Sequence, residues 1–392
     1  MTYDASLAWL DSTQHFGIRL GLETTQRLAE ALGSPQATGK FLHVAGTNGK
    51  GSVCAMLDAI LRGGGYRTGL YTSPHLIDFS ERIVVDGRTI SPSDIAAGLT
   101  RIRAVADDLS LSPTYFEVAT LLALDWFAKA GCDYVVLETG LGGRLDATNI
   151  VTPIVSILTP IGMDHCEWLG RSLDLIALEK AGIIKAGCPV VSSPQEPEVA
   201  RVYTHRAEEL HSSIDFVSSS YSGRVGLIGH HQLWNAALAI LALQKAQIAI
   251  ADDVIASALS GATLPARFQC VTEKFVVDGS HNPPAAEVLV RTWRDHFGEQ
   301  KACIFFGAMR DKDHGAMLEI LAPIASEFVF LPIANERACD PKLLAAPAGI
   351  PTRVAQSLND EVAKALASDS LSLFTGSLFL AGEVLSSRRL AI

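Results

Sequence analysis

The sequence predicts an α/β fold with mostly parallel sheets, divided between two domains. Three observations predict it. Short apolar runs alternate with helical segments, the pattern of helices laid on both faces of a parallel sheet. The length, 392 residues, exceeds one ordinary domain and suits two. A glycine-rich loop, Gly46-Thr47-Asn48-Gly49-Lys50-Gly51-Ser52, separates a strand-like run from a helix-like one.

The elements follow in order. Phe41–Ala45 reads as a buried strand and 50–62 as a helix. A short strand over 70–72 precedes the turn Ser73-Pro74. A helix over Tyr115–Ala130 leads into strands over 133–138 and 154–158. Residues 212–222 are Ser-rich and read as a surface loop, followed by helices over 231–245 and 252–259. Strands are expected at 275–278, Ala302–Phe306, 328–331 and 371–374. The predicted domains are 1–263 and 267–392, joined at 264–266.

Composition narrows the function. Hydrophobic residues make up 48% of the chain and charged residues 19%, enough apolar material for sizeable cores. With 32 Lys and Arg against 42 Asp and Glu, the net charge is -10, which gives no attraction for nucleic acid or anionic membrane. No apolar stretch is long enough to span a bilayer, and residues 1–10 lack a secretory pattern. The seven cysteines form no Cys-x-x-Cys pair, so reduced thiols in a cytoplasmic protein are expected.

The glycine-rich loop carries the chemistry. Gly46, Gly49 and Gly51 let the backbone curl so that N–H groups meet phosphate oxygens, and the following helix adds its positive end. Lys50 reaches the terminal phosphates, and Ser52 offers a hydroxyl. Only two residues separate Gly46 from Gly49, against four in the common P-loop. Gly140-Leu-Gly142-Gly143 lacks the dinucleotide spacing, and no Asn-Lys-x-Asp guanine-reading motif is present, which disfavours a dehydrogenase and a switch protein.

Candidate metal groups lie at strand ends. Glu138 closes a strand, which places it on the binding edge of a parallel sheet. His165 follows the strand at 154–158, on the same edge, and Ser73 sits in a turn that suits either a metal ligand or a cap. Lys180 by itself reads as a solvated lysine on a helix.

Taken together, the motifs resemble the folylpolyglutamate synthase/dihydrofolate synthase branch of the Mur ligase family. They run from Phe16-Gly-Ile-Arg-Leu-Gly-Leu22 to Thr375-Gly-Ser-Leu-Phe-Leu-Ala-Gly-Glu383. Between them stand the loop at 46–52, Ser73-Pro-His-Leu76, Thr114-Tyr-Phe-Glu117, Leu137-Glu-Thr-Gly-Leu-Gly-Gly-Arg-Leu-Asp-Ala-Thr-Asn149, Asp164-His165, Glu179-Lys-Ala-Gly182, Leu264-Pro-Ala-Arg-Phe-Gln269 and Asp278-Gly-Ser-His-Asn-Pro283.

The resemblance implies an N-terminal P-loop ATPase domain, a smaller C-terminal Rossmann-like domain, and an active site that uses both, with closure on substrate binding. It assigns the ATP phosphates to Gly46, Thr47, Asn48, Gly49, Lys50, Gly51 and Ser52, and adenine to Asn235. Arg267 and His281 would reach the phosphates, with Asp278 positioning the nucleotide beside them. Ser73 and Glu138 would share one Mg2+ and His165 would help hold a second, while Lys180 would act as a carbamate ligand. The catalytic set implied is Lys50, Glu138, His165, Lys180, Arg267 and His281. Phe116 and Asp146 fall in motifs associated with the pterin end, with core packing of Phe116 and loop capping by Asp146 as the alternative. Ala266, Ser280 and Pro284 depart from the family's common residues.

The implied activity is ATP-dependent joining of L-glutamate to dihydropteroate or a reduced folate through an acyl phosphate. The substrates are small molecules and the enzyme a monomer. A cell-wall Mur ligase is disfavoured by the Thr114 and Arg144 motifs, and monofunctional variants remain alternatives.

Overall fold

The computed structural model describes residues 1–17, 19 and 21–387. Residues Ile18 and Leu20 of the first motif, and 388–392 of the predicted second domain, lie outside the described residues. The chain divides into two compact units. The first holds the chain up to Ile161 together with 166–225 and 234–262; the second holds 162–165, 226–233 and the chain from Thr263. The sequence reading placed one join at 264–266 and did not anticipate the two earlier segments. Side-chain contacts explain both. Asp164 is bonded by Asn282 and Lys312, and Ile228 packs on the second core.

The first sheet has eight strands: β1 (Phe41–Ala45), β2 (Thr68–Tyr71), β3 (Ile83–Val85), β4 (Arg88–Thr89), β5 (Tyr134–Glu138), β6 (Pro153–Leu158), β7 (Val190–Ser192) and β8 (Ile214–Phe216). Their order is β4-β3-β2-β5-β1-β6-β7-β8. All neighbours are parallel except β2–β3 and β3–β4. Every residue of β1 is buried, because helices cover both faces of a parallel sheet, and its sequence is accordingly apolar except for His43. Val44 pairs with Glu138 and Ala45 with Leu158, so β1, β5 and β6 end together on one edge. That edge receives the glycine-rich loop, which runs directly into the helix Lys50–Gly63.

The second sheet has six strands: β9 (Gln269–Thr272), β10 (Phe275–Val277), β11 (Ala302–Phe306), β12 (Ala325–Phe330), β13 (Thr352–Val354) and β14 (Ser372–Thr375). Their order is β13-β12-β11-β14-β10-β9, with only β9–β10 antiparallel. Phe374 stacks on Phe305 and Phe275, with centroids at 4.2 and 4.7 Å. Trp293, fully buried on the helix Pro283–Phe297, packs on the opposite face of the sheet with Val276, Ile304, Phe306 and Leu373.

Residues 212–222, expected as a loop, contain the edge strand β8. Its three residues are all half-buried and give no alternation to read. All seven cysteines are free, and no described helix is long and apolar enough to cross a membrane.

The motif Thr114-Tyr-Phe-Glu117 starts the helix Tyr115–Ala130. Thr114 and Glu117 form a capping box, and Glu117 also accepts a hydrogen bond of 3.0 Å from Thr25 Oγ1. One buried carboxylate therefore caps its own helix and ties the helix Glu23–Ala31 to it. Glu117→Ala is expected to lower the unfolding free energy by about 2–3 kcal/mol, read as an earlier urea midpoint at unchanged slope.

Candidate active site

The loop after β1 is shaped by contacts that exclude side chains. Gly46 has φ +156, and a Cβ there would fall 1.8 Å from Thr159 Oγ1. Gly49, at φ +88, begins the helix, and a Cβ on it would lie 3.0 Å from Asn235 Oδ1. Asn235 thus lies against the loop, which its distance in sequence conceals.

The loop's N–H groups divide into two sets. Those of Thr47 and Asn48 donate to the Pro160 carbonyl at 3.0 and 3.3 Å, so the sequence expectation of inward-facing amides does not extend to them. The first helical bond runs from Val53 N–H to Gly49 O, so the N–H groups of Gly49, Lys50, Gly51 and Ser52 stand before it at the helix start, where a helix can receive an anion. Lys50 Nζ donates to the carbonyls of Gly46 and Thr47 at 3.1 and 3.2 Å. Lys180 Nζ, on a residue only 4% exposed, donates to the same Gly46 oxygen at 2.8 Å. Two lysines far apart in sequence therefore meet on one carbonyl.

Glu138 is buried at the end of β5, and its Oε2 accepts the Ser73 N–H at 3.1 Å. Burial, and then Glu138, push the thiol of nearby Cys54 up, while Lys50 pulls it down. Carboxylate and ammonium thus act on one buried point. Glu138 and the Ser73 hydroxyl are hard oxygen donors, as Mg2+ prefers. Among the described residues no group of three or more His, Cys, Asp or Glu side chains could hold a metal.

The loop after β5 carries the candidate pterin residues. Asp146 Oδ2 accepts the N–H groups of Gly140 and Leu141 at 2.9 and 2.8 Å, and Oδ1 accepts the N–H and Oγ of Thr148 at 3.0 and 2.5 Å. The carboxylate straps the loop, and any pterin contact must share it with these donors. Burial raises its pKa, against the lowering effect of the same hydrogen bonds. Phe116 is half-buried against the loop, and a Cβ on Gly140 would touch its ring.

In the second unit, Asp278 Oδ2 accepts the Phe268 N–H at 2.8 Å, and Oδ1 accepts the N–H and Oγ of Ser280 at 2.9 and 2.5 Å. Ser280, a departure from the family pattern, adds a bond that alanine cannot make. Ala266 has φ +57, a left-handed conformation that a glycine adopts more readily than an alanine. Asp278 thereby holds the turn that presents Arg267. A Cβ on Gly279 would lie 2.8 Å from Arg267 Nη1, so the guanidinium crosses this glycine.

His281 Nδ1 lies 3.0 Å from the Gly279 carbonyl, and Nε2 lies 3.6 Å from Asp164 Oδ2. Asp164 also receives Lys312 Nζ at 2.6 Å, Asn282 Nδ2 at 2.9 Å and the His165 N–H at 2.8 Å. Burial works to raise its pKa, but the His281 hydrogen bond and the charges of His165, Lys312 and His281 outweigh burial and hold it well below the usual carboxylate range.

The structure thus gathers Lys50, Lys180 and Asn235 at one loop and pairs Ser73 with Glu138, all in the first unit. Arg267, Asp278, His281 and His165 belong to the second. Sequence reasoning missed Asn282 and Lys312. Asn282 was readable as the cap before Pro283, whereas Lys312, between Asp311 and Asp313, resembles a solvated charge run.

Comparison with known proteins identifies the family. The Mur ligase middle domain matches residues 44–192, and the Mur ligase glutamate ligase domain matches 266–378. The chain is 35% identical to the dihydrofolate synthase/folylpolyglutamate synthase of Bacillus subtilis, over 97% of this chain and 98% of that protein. It is similar in structure to Escherichia coli FolC in complex with DHPP and ADP, with 31% identity, 98% of each chain covered and a TM-score of 0.89. It is also similar to the bifunctional folylpolyglutamate synthase/dihydrofolate synthase of Yersinia pestis complexed with AMPPNP and Mn ion, with 31% identity, 99% and 98% covered and a TM-score of 0.90.

Removing Lys312 leaves Asp164 buried without its cation. Lys312→Met is expected to cost about 3 kcal/mol, measured by denaturant unfolding. The same substitution in an Asp164→Asn background is expected to cost much less, because the two effects share one pair.

Proposed function

We infer the activity of this chain from its family: it belongs to the dihydrofolate synthase/folylpolyglutamate synthase branch of the Mur ligase family. It is an ATP-dependent ligase that joins L-glutamate to dihydropteroate or to a reduced folate, releasing ADP and phosphate. The observation that carries the chemistry is the Gly46 carbonyl with Lys50 and Lys180 upon it, on the same sheet edge as Glu138.

A carboxylate resists attack by an amine because oxide is a poor leaving group. The acceptor carboxylate therefore first attacks the γ-phosphorus of ATP, breaking its bond to ADP and forming an acyl phosphate. The amino group of L-glutamate then attacks the acyl carbon, phosphate leaves, and the amine loses a proton as the amide forms. Phosphoryl transfer of this kind needs positioning and neutralisation of charge more than a protein nucleophile. The helix start at Lys50 and the Lys50 ammonium supply both.

The finer assignments belong to the proposal. ATP occupies the loop at 46–52, with Asn235 on adenine and with Arg267, Asp278 and His281 on the nucleotide. Ser73 and Glu138 hold one Mg2+ and His165 helps hold a second; bound magnesium neutralises phosphate oxygens. Phe116 and Asp146 form the pterin side. Lys180 reacts through its neutral amine with carbon dioxide and loses a proton, giving a carbamate. The burial of Lys180 beside Lys50 supports this, since a carbamate replaces a second cation with a partner for the first. The protein acts as a cytoplasmic monomer on small molecules, and its net charge of -10 favours neither nucleic acid nor anionic lipid.

ADP release with ATP and L-glutamate is expected to depend on added dihydropteroate or tetrahydrofolate, and the preferred acceptor defines the branch activity. Release stimulated by neither would remove the folate assignment. Lys180→Ala is expected to lose most turnover and to recover part of it with a short carboxylic acid such as acetate. Undiminished turnover in this variant rejects the carbamate.

A further inference from the structure

One buried group in the first unit is used by none of the roles above. His43 lies in the middle of β1, fully buried, between its strand partners Leu137 on β5 and Ser156 on β6. Its Nε2 is 2.8 Å from Thr148 Oγ1, and Thr148 Oγ1 is 2.5 Å from Asp146 Oδ1.

Proton counting gives this chain a direction. Backbone N–H groups already donate to both oxygens of Asp146, which therefore acts as an acceptor, so the single hydroxyl hydrogen of Thr148 points at Asp146. The contact with His43 must then be an Nε2–H donating to Thr148 Oγ. Nδ1 is left as a bare acceptor, and it has no hydrogen-bond partner among the described residues. A bare acceptor is the less costly group to bury alone. Burial, with Lys185 adding to it, lowers the imidazole pKa to about 3, so the ring stays neutral at working pH.

The relay ends on the carboxylate that organises the loop after β5. Asp146 also holds the N–H groups of Gly140 and Leu141, and Gly140 packs against Phe116. We propose that His43 is a positioning residue for the acceptor: through Thr148 it fixes the Asp146 carboxylate, and with it the loop at 140–146 that faces the pterin ring. This rests on the reading of Phe116 and Asp146 as the pterin side of the site. It is separate from the nucleotide loop, although both begin from β1.

The test is a split in kinetic constants. His43→Leu, which cannot donate, is expected to raise the acceptor KM by about tenfold, the scale of one lost buried hydrogen bond, while the KM for ATP stays within about twofold. His43→Gln can place an N–H where Nε2–H stands and is expected to restore most of the acceptor KM. Thr148→Val is expected to match His43→Leu, and the double variant to be no worse than either single one. In the unaltered protein, imidazole 15N resonances are expected to show Nε2 protonated and Nδ1 bare; the opposite tautomer overturns the relay without any variant. A parallel rise in both KM values, or lost stability with unchanged constants, overturns it as well. Wild-type ADP release that needs acceptor, together with an unaltered acceptor KM in His43→Leu, rejects the relay alone. Wild-type release independent of acceptor rejects both this and the functional reading.

Discussion

The edge of the first sheet where β1, β5 and β6 end depends on a single backbone carbonyl, that of Gly46. Its position is set from behind, because Thr159 at the end of β6 leaves no room for a Cβ at residue 46. From in front it receives the amines of Lys50 and Lys180. The order β5-β1-β6 makes this possible, since it ends three parallel strands on one edge and brings Glu138 level with Val44. Shifting β1 by one residue against either neighbour would separate the loop, the lysines and the carboxylate together. The register of the central strand is therefore a functional quantity as well as a structural one.

A second constraint appears in both units in the same form. Asp146-Ala-Thr148 and Asp278-Gly-Ser280 are each an aspartate followed two residues later by a hydroxyl residue. In each, Oδ1 accepts both the N–H and the hydroxyl of that residue, and Oδ2 accepts backbone N–H from earlier in the chain, two in the first case (Gly140 and Leu141) and one in the second (Phe268). The result is a local turn tied to the chain just before it by one side chain. In the first unit the tied segment carries Gly140, against Phe116; in the second it carries Arg267. Loops expose functional groups but lack the ladder bonds of a sheet, and a buried carboxylate that accepts several charge-assisted bonds supplies the missing rigidity.

What the sequence revealed follows from these distances. Phe41–Ala45, the helix Tyr115–Ala130 and Ala302–Phe306 are long, continuous and buried, and their bounds were legible residue by residue. The strands β3, β4, β7, β9 and β13 have only two to four residues each, too few for any period to show. At the site, the phosphate loop was legible because its glycines, lysine and helix are contiguous. The placement of Asn235 and Lys180 against that loop was not, because nothing local in their helices distinguishes them; only the resemblance singled them out. Lys312 was hidden for another reason. Flanked by two aspartates it looks solvated, and only the fold shows that its partner is Asp164, far earlier in the chain.

The buried carboxylates also bear on the kind of reaction this scaffold can perform. Asp146 and Asp278 each have both oxygens filled by N–H or O–H donors, and Asp164 receives a lysine, an amide and a backbone N–H. A carboxylate so occupied is a poor nucleophile, because reacting would break the bonds that hold its loop. These groups therefore act by orienting what lies next to them. A site organised in this way suits a transfer in which ATP supplies the activation and the protein supplies position and charge. For forming an amide from an unreactive carboxylate, that division of labour is sufficient: once the phosphate is on the acceptor, the barrier left to the protein is one of alignment.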